Sequence, residues 1–309
     1  MDSKVAIIDL GTNTFHLLVA DCDDGRYRIT RRERVAAKVG AGGINQDTIT
    51  ADGVKRAAEA LYSFKAAIDE ELITRVFAFG TSAFRNAKNG TAVAALIQQQ
   101  TGIEVNIISG DEEAEYIYKG IRDAIPLGDQ PNLIVDIGGG SVEFIIGDSH
   151  EIFWKGSFEI GGQRLLERFH RHDPILPEEV KKLGDYLNDV LRPLLKQIRK
   201  FKPACLIGSS GTFDTLSDIH CVRNGLPLQQ DAPERPLTFQ SFYETFDLLL
   251  VKNRAERLQI PGMIDMRVDM IVVACCLIQF LLDRQTFTDI RVSSYSLKEG
   301  VLASLTPGI

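Results

Sequence analysis

The chain has 309 residues, 44% of them apolar and 25% charged, with a formal net charge of −7. That length favours two domains, the composition is that of an ordinary globular protein, and the acidic balance argues against nucleic-acid and membrane-surface partners. The five cysteines, Cys22, Cys205, Cys221, Cys275 and Cys276, are odd in number and lack metal spacing, so a reduced, cytoplasmic setting is expected. A polyanionic substrate stays open, because a local basic site and a metal ion override a global sign.

Met1-Asp2-Ser3-Lys4 leads straight into a strand, so no leader is expected. Residues 4–10, 14–21 and 26–36 read as a three-stranded meander, with a hairpin turn at Asp23-Asp24-Gly25. On strict alternation, Arg26, Arg28, Arg32 and Arg34 share one face of the third strand and Arg31 the other. Such a row is ordinarily a solvated face; the alternative is a basic track for anions. A helix is expected over 52–71, with Val54, Ala57, Ala58, Leu61, Phe64 and Ile68 at 3.6 spacing. A strand over 75–79 then runs into Gly80-Thr81-Ser82-Ala83-Phe84-Arg85, followed by a helix over 92–100 and a strand over 104–108. This is an α/β layer pattern. Ser109 and Glu112 make a capping box for the next helix, and acids in its first turn suit the helix dipole. Glu113 also follows a strand end, where α/β folds place chemistry.

A linker over 126–131 opens the second half, whose meander covers 132–156. Within it, an apolar run enters Asp136, the turn Gly138-Gly139-Gly140-Ser141 comes next, and a second apolar run begins at Val142. Two strands with a glycine turn is the plain reading. Glycine lets a ligand approach main-chain N–H groups, which cradle phosphate, and the flanking Asp136 and Glu143 could hold a divalent cation. A second copy strengthens this. A shift of 127 positions lays Ile7–Asp21 on Ile134–Asp148, with Asp9 on Asp136, Gly11 on Gly138 and Thr14 on Ser141. A repeat of domain size implies two like-folded halves, 1–124 and 125–309, with two aspartate–glycine hairpins facing one another across a cleft.

Further on, Gly161-Gly162 precedes a helix through Phe169. His170-Arg171-His172 has the wrong spacing for a metal on one helix face and reads as a surface loop. A long helix over 177–199 has Pro177 in its first turn and Pro193 inside it, where proline kinks or splits a helix. A strand over 204–207 ends in Gly208-Ser209-Ser210-Gly211-Thr212, a small-residue loop that suits either phosphate at a helix N-terminus or tight packing. Ser241 and Glu244 read as a capping box opening another helix. The apolar helix over 267–282 is too short to span a bilayer and is expected in the core, its Cys275-Cys276 pair acting as small hydrophobes. A strand over 291–294 and a helix over 297–305 close the chain.

These pieces resemble the exopolyphosphatase / guanosine pentaphosphate phosphohydrolase (Ppx/GppA) family of the actin, sugar-kinase and heat-shock ATPase superfamily. The matching segments are Asp9 to His16, Gly80 to Arg85, Ile108 to Ala114, Asp136 to Glu143, Gly208 to Thr212, and Leu297 to Leu302, in order over nearly the whole chain. The resemblance implies an α/β fold of two ribonuclease-H-like domains with the site in the interdomain cleft. It implies that Glu113 is the catalytic glutamate and that Asp136 and Glu143, with Asp9, are metal-site carboxylates for Mg²⁺ or another divalent cation. It implies phosphate contacts from Gly11, Thr12, Asn13, Thr14, Arg85, Gly138, Gly139, Gly140 and Ser141, joined by Ser210, Gly211 and Thr212. The chain departs from the family pattern at Val142, where threonine is common, and over Val35 to Ile44, so nothing is carried over there. The resemblance is to the short form of the family, so the HD-type C-terminal helical domain of longer relatives is not expected. The implied reaction is hydrolysis of the terminal phosphoanhydride bond of inorganic polyphosphate by a cytoplasmic homodimer. The alternatives are removal of the 5′ γ-phosphate of guanosine pentaphosphate, an ATP-dependent kinase of the same superfamily, and a non-catalytic anion sensor.

Overall fold

In the computed structural model, which describes residues 4–23, 26–228 and 232–305, the meander forms as expected. β1 (Lys4–Leu10), β2 (Phe15–Asp23) and β3 (Arg26–Val35) are antiparallel neighbours. The turn expected at Asp23-Asp24-Gly25 includes residues outside those described. α1 (Ala51–Glu70) follows, capped by Thr50, whose Oγ1 accepts from the Gly53 N–H at 3.1 Å. Then come β4 (Arg75–Gly80), α2 (Ser82–Asn86), α3 (Gly90–Thr101), β5 (Val105–Ile107) and α4 (Gly110–Ala124). The capping box at α4 is present: the Ser109 N–H donates to Glu112 Oε2 at 2.8 Å and the Glu112 N–H to Ser109 Oγ at 3.2 Å. β4 and β5 run parallel to β1, giving the order β3-β2-β1-β4-β5.

The second unit repeats this plan. β6 (Asn132–Ile137), β7 (Val142–Gly147) and β8 (Ile152–Phe158) form its meander. α5 (Gly162–Phe169), α6 (Pro177–Val190), α7 (Arg192–Phe201), β9 (Cys205–Ser209) and α8 (Ser210–Arg223) follow. β10 (Glu234–Arg235), α9 (Phe239–Val251), α10 (Arg254–Leu258), α11 (Ile271–Leu282) and β11 (Asp289–Ser293) complete it. The sheet order is β8-β7-β6-β9-β11-β10, so β11 takes the place of β5 and β10 is an addition. Each unit is ribonuclease-H-like, an antiparallel meander extended by parallel strands, so the chain is an α/β protein of two such units. β6 and β7 are buried along their whole length, which explains their continuous apolar runs. α11 is buried on nearly every side, and no described helix is long and apolar enough to cross a membrane.

The division of the chain differs from 1–124 and 125–309. The first unit ends at Gly120, inside α4, and regains α12 (Leu297–Leu305). Two contacts account for the return. A Cβ on Gly300 would lie 1.7 Å from Tyr116 O, so only glycine lets α12 lie this close to the α4 backbone. Glu299 is fully buried and pairs with Arg32 of β3.

Three local expectations are corrected. The arginine row of β3 does not share one face. A register shift between Val19 and Ala20 leaves Thr30 unpaired, and one extra residue flips the alternation. Arg28, opposite Asp21, stays on the face of Arg31, opposite Val19, while Arg32 and Arg34, opposite Leu18 and His16, turn to the other. α9 begins at Phe239, not Ser241: Thr238 is its cap, accepting from the Ser241 N–H at 3.1 Å, and Glu244 pairs with Arg223 at 2.9 Å. His170 does not face solvent; its side chain is 4% exposed, whereas His172 pairs with Glu179 at 2.9 Å. Pro193 splits the expected 177–199 helix, as its missing N–H requires, with Leu191 at the joint between α6 and α7.

Candidate active site

The predicted site residues fall into two groups, one in each unit. In the first unit the loop Gly11–Thr14 joins β1 to β2, and Thr12, Asn13 and Thr14 are buried. A Cβ on Gly11 would meet Thr14 O at 2.8 Å; one on Gly138 would meet Ser141 O at 3.0 Å. The two turns are therefore the same tight turn, in which a side chain would press on the facing carbonyl, more closely at Gly11 than at Gly138.

The segment after each meander fixes the orientation of these loops. In the second unit the Gly162, Gln163 and Gly161 N–H groups at the start of α5 donate to Gly138 O, Gly139 O and Gly140 O at 2.9, 2.8 and 3.0 Å. In a trans peptide the N–H of the next residue points opposite to the carbonyl. The N–H groups of Gly139, Gly140 and Ser141 are therefore aimed away from α5 as a consecutive row, the arrangement that binds anions. The first unit does the same on a smaller scale. Lys38 N–H donates to Asn13 O at 2.9 Å and Gly40 N–H to Thr12 O at 3.0 Å, which aims the Asn13 and Thr14 N–H groups away from residues 38–40. The stretch from Val35 to Ile44, from which the sequence offered nothing, thus supports the predicted loop.

Asp136 and Glu143 stand directly opposite each other on β6 and β7, so their side chains share a face. Asp136 Oδ2 accepts from Ser209, Ser210 and Ser296 hydroxyls at 2.6, 2.8 and 2.6 Å. Glu143 Oε1 accepts from Ser141 and Ser157 hydroxyls, both at 2.7 Å. Bonds to ionised oxygens are the strong kind, and they offset the burial of both carboxylates. Ser157 and Ser296 were not singled out from the sequence, and Ser209 entered only as a member of the 208–212 loop, not as a partner of Asp136. Ser209 and Ser157 become legible once strand register is known, since they lie opposite Asp136 and Glu143; Ser296 carries no local signal. Asp9 occupies the corresponding position in the first unit, opposite His16. Among the described residues no group of three His, Cys, Asp or Glu side chains is close enough to hold a metal ion. Mg²⁺ is commonly held by one or two carboxylates with waters and substrate oxygens, so the Asp136–Glu143 pair fits it.

Glu113 lies in the first turn of α4, 8% exposed. Arg85 is on the short helix α2, and its Nη1 donates to Glu113 Oε2 at 2.8 Å and to Ile108 O at 3.2 Å. The predicted base and the predicted phosphate-contacting arginine are thus bonded to each other. Ser210 and Thr212 open α8, and a Cβ on Gly211 would lie 2.1 Å from Arg267 Nη2. Arg267, which sequence alone placed in a buried helix, therefore lies against the 208–212 loop, close to the α8 N-terminus.

The model of the family described as "Ppx/GppA phosphatase family" matches residues 18–308. An exopolyphosphatase from Cytophaga hutchinsonii, known from its crystal structure, is 43% identical, with a TM-score of 0.94 over 99% of this chain and 98% of that one. The Aquifex aeolicus PPX-GPPA enzyme is 26% identical, with a TM-score of 0.78 over 97% and 99% of the two chains. A Haemophilus influenzae protein provisionally named exopolyphosphatase is 27% identical over 98% of this chain and 91% of its own.

Proposed function

Since the chain belongs to the Ppx/GppA phosphatase family, we propose that it hydrolyses the terminal phosphoanhydride bond of inorganic polyphosphate and releases orthophosphate. The row of Gly139, Gly140 and Ser141 N–H groups aimed away from α5 carries this reading. The exopolyphosphatase name of the 43%-identical Cytophaga hutchinsonii protein supports it.

Phosphoryl transfer needs charge neutralisation, in-line positioning and an oriented nucleophile. The loops at Gly138–Ser141 and Gly11–Thr14 bind phosphate oxygens through their N–H groups. Glu113 takes a proton from the attacking water, its carboxylate held by Arg85. Asp136 and Glu143 would hold a divalent cation, which would supply further charge neutralisation. The Asp136 hydroxyl partners keep that side chain in one orientation. A cytoplasmic homodimer belongs to the same proposal, and sedimentation would test the assembly.

The deciding experiment compares phosphate release from polyphosphates of graded length and from guanosine pentaphosphate, with and without EDTA. Release from polyphosphate, abolished by EDTA and restored by Mg²⁺, is expected. A higher kcat/KM on guanosine pentaphosphate would move the assignment to the nucleotide. ADP formation with a phosphorylated acceptor would make it a kinase, and no release from any of them would leave an anion sensor.

A further inference from the structure

Gly140 O is held by two donors from the start of α5. The Gly161 N–H donates to it at 3.0 Å, and the Arg164 Nε–H donates to it at 3.0 Å as well. Arg164 lies in the first turn of α5, only 7% exposed, and its Nη2 pairs with Glu159 Oε2 at 3.3 Å. Burying a guanidinium carries a desolvation cost. The Gly161 N–H alone would leave the Gly140 carbonyl satisfied. The arginine therefore adds something that hydrogen-bond satisfaction does not require.

The composition of the loop says what it adds. Gly138, Gly139 and Gly140 have no side chains to seat, and glycine has the widest backbone freedom of any residue. In the first unit the same turn is Gly11-Thr12-Asn13, whose Thr12 and Asn13 are buried. Lys38 and Gly40 support that turn as Gly161 and Gln163 support this one, 123 positions on, and at that offset Arg164 falls on Ala41, which carries no side-chain donor. The tight turn thus forms without an arginine where side chains anchor it, and the arginine stands where only carbonyls can be held. The carbonyl it holds belongs to the peptide that carries the Ser141 N–H, and fixing Gly140 O fixes that N–H opposite to it. Ser141 Oγ donates to Glu143 Oε1 at 2.7 Å, so the same peptide also carries a side chain bonded to the candidate cation-site pair.

We propose that Arg164 is a positioning residue: through Gly140 O it holds the Gly140–Ser141 peptide, so that the Ser141 N–H stays in the anion-binding row with those of Gly139 and Gly140. This rests on the reading of that row as the phosphate site of the proposed reaction. The charge acts through the peptide. A hydrogen bond from a charged donor is roughly twice as strong as a neutral one, and it polarises the peptide group, which strengthens the N–H on its other side.

Two substitutions separate this hydrogen bond from the rest of the side chain. In Arg164→Gln the amide nitrogen stands as many bonds from the backbone as the Arg164 Nε, so a donor to Gly140 O is kept while the charge and the Glu159 pair are lost. Arg164→Met keeps an apolar stem and loses the donor, the charge and the pair together. Calorimetric titration of tripolyphosphate into Glu113→Gln, alone and with each substitution, reads the loop without turnover. Affinity should fall about tenfold with Arg164→Met, and Arg164→Gln should recover most of it. In the background that retains Glu113, kcat/KM should follow the same order. A role confined to packing or to the Glu159 pair would lower Arg164→Met and Arg164→Gln alike, so melting temperatures are expected to change together while affinities part. Turnover by the wild type, with equal affinity and equal kcat/KM in Arg164→Met and Arg164→Gln, overturns the role of Arg164 and leaves the hydrolase reading intact. No turnover, with tripolyphosphate bound more weakly by Arg164→Met than by Arg164→Gln, overturns the hydrolase reading and keeps the positioning. No turnover and no binding overturns both.

Discussion

Adding one methyl group at Gly161 should disable the Gly138–Ser141 loop. Gly161 has φ −62°, so its backbone is open to any residue and only space is at stake. A Cβ there would lie 2.4 Å from both Gly139 C and Gly140 N, which are main-chain atoms and cannot rotate away. Ordinary carbon contacts are about 3.5 Å or longer, so the loop and the start of α5 must separate by about 1 Å. Overpacking of this kind costs about 1–3 kcal/mol of stability. A shift of that size in a substrate-positioning loop costs about 100-fold in kcat/KM. Gly184→Ala is the control in the same unit: it lies within α6, a Cβ there meets nothing within 4 Å, and the change should stabilise by about 0.5–1 kcal/mol. Urea unfolding midpoints and phosphate release from tripolyphosphate read both effects. A Gly161→Ala protein as stable and as active as the wild type would refute the reasoning that α5 sets the loop.

Two more outcomes are expected from buried charges away from the loops. Arg32→Met leaves Glu299 fully buried without that partner and should cost about 1–3 kcal/mol in urea unfolding, with the Arg32→Met/Glu299→Gln double variant losing less than the sum of the singles. Additive losses would mean that the pair is not coupled. The buried imidazole of His170 has its pKa lowered by burial, with Arg257 adding to the effect and Asp173, Glu179 and Asp269 opposing it. The unfolded state then binds the proton more readily, so stability falls as pH drops below the ordinary histidine range toward the lower folded value. His170→Phe should flatten the pH dependence of the melting temperature between about pH 7 and 5 relative to the wild type. Parallel curves would remove His170 from that role.

The parts of this protein that were legible in its sequence are those coded by neighbouring residues. The repeat at an offset of 127 was visible because two apolar runs, Asp9 or Asp136 and the glycine turn lie within fifteen residues of one another. The sheet orders show two like-folded units, as the repeat implied, with bounds that differ from the halves drawn from it. Beyond the meander the correspondence continues at another offset: Lys38 and Gly40 stand 123 positions before Gly161 and Gln163, and the four-residue difference hid the shared loop support. The single-residue bulge opposite Val19 and Ala20 has no sequence signature of its own, yet it moved Arg32 and Arg34 to the other face of β3. Ser296 reaches Asp136 from 160 residues away, and α12 returns to the first unit through Gly300 and Glu299. Such contacts are set by which elements pack together, and no local pattern encodes that.

The central claim is that Glu113 serves as the base for water attack on a phosphoanhydride, and the single-turnover rate of phosphate release from tripolyphosphate by Glu113→Gln tests it most directly. The glutamine keeps the shape and can still accept a hydrogen bond from Arg85. The expected result is a folded protein that binds tripolyphosphate but releases phosphate about 10²–10⁴-fold more slowly than the wild type. A wild-type rate in that variant would contradict the claim.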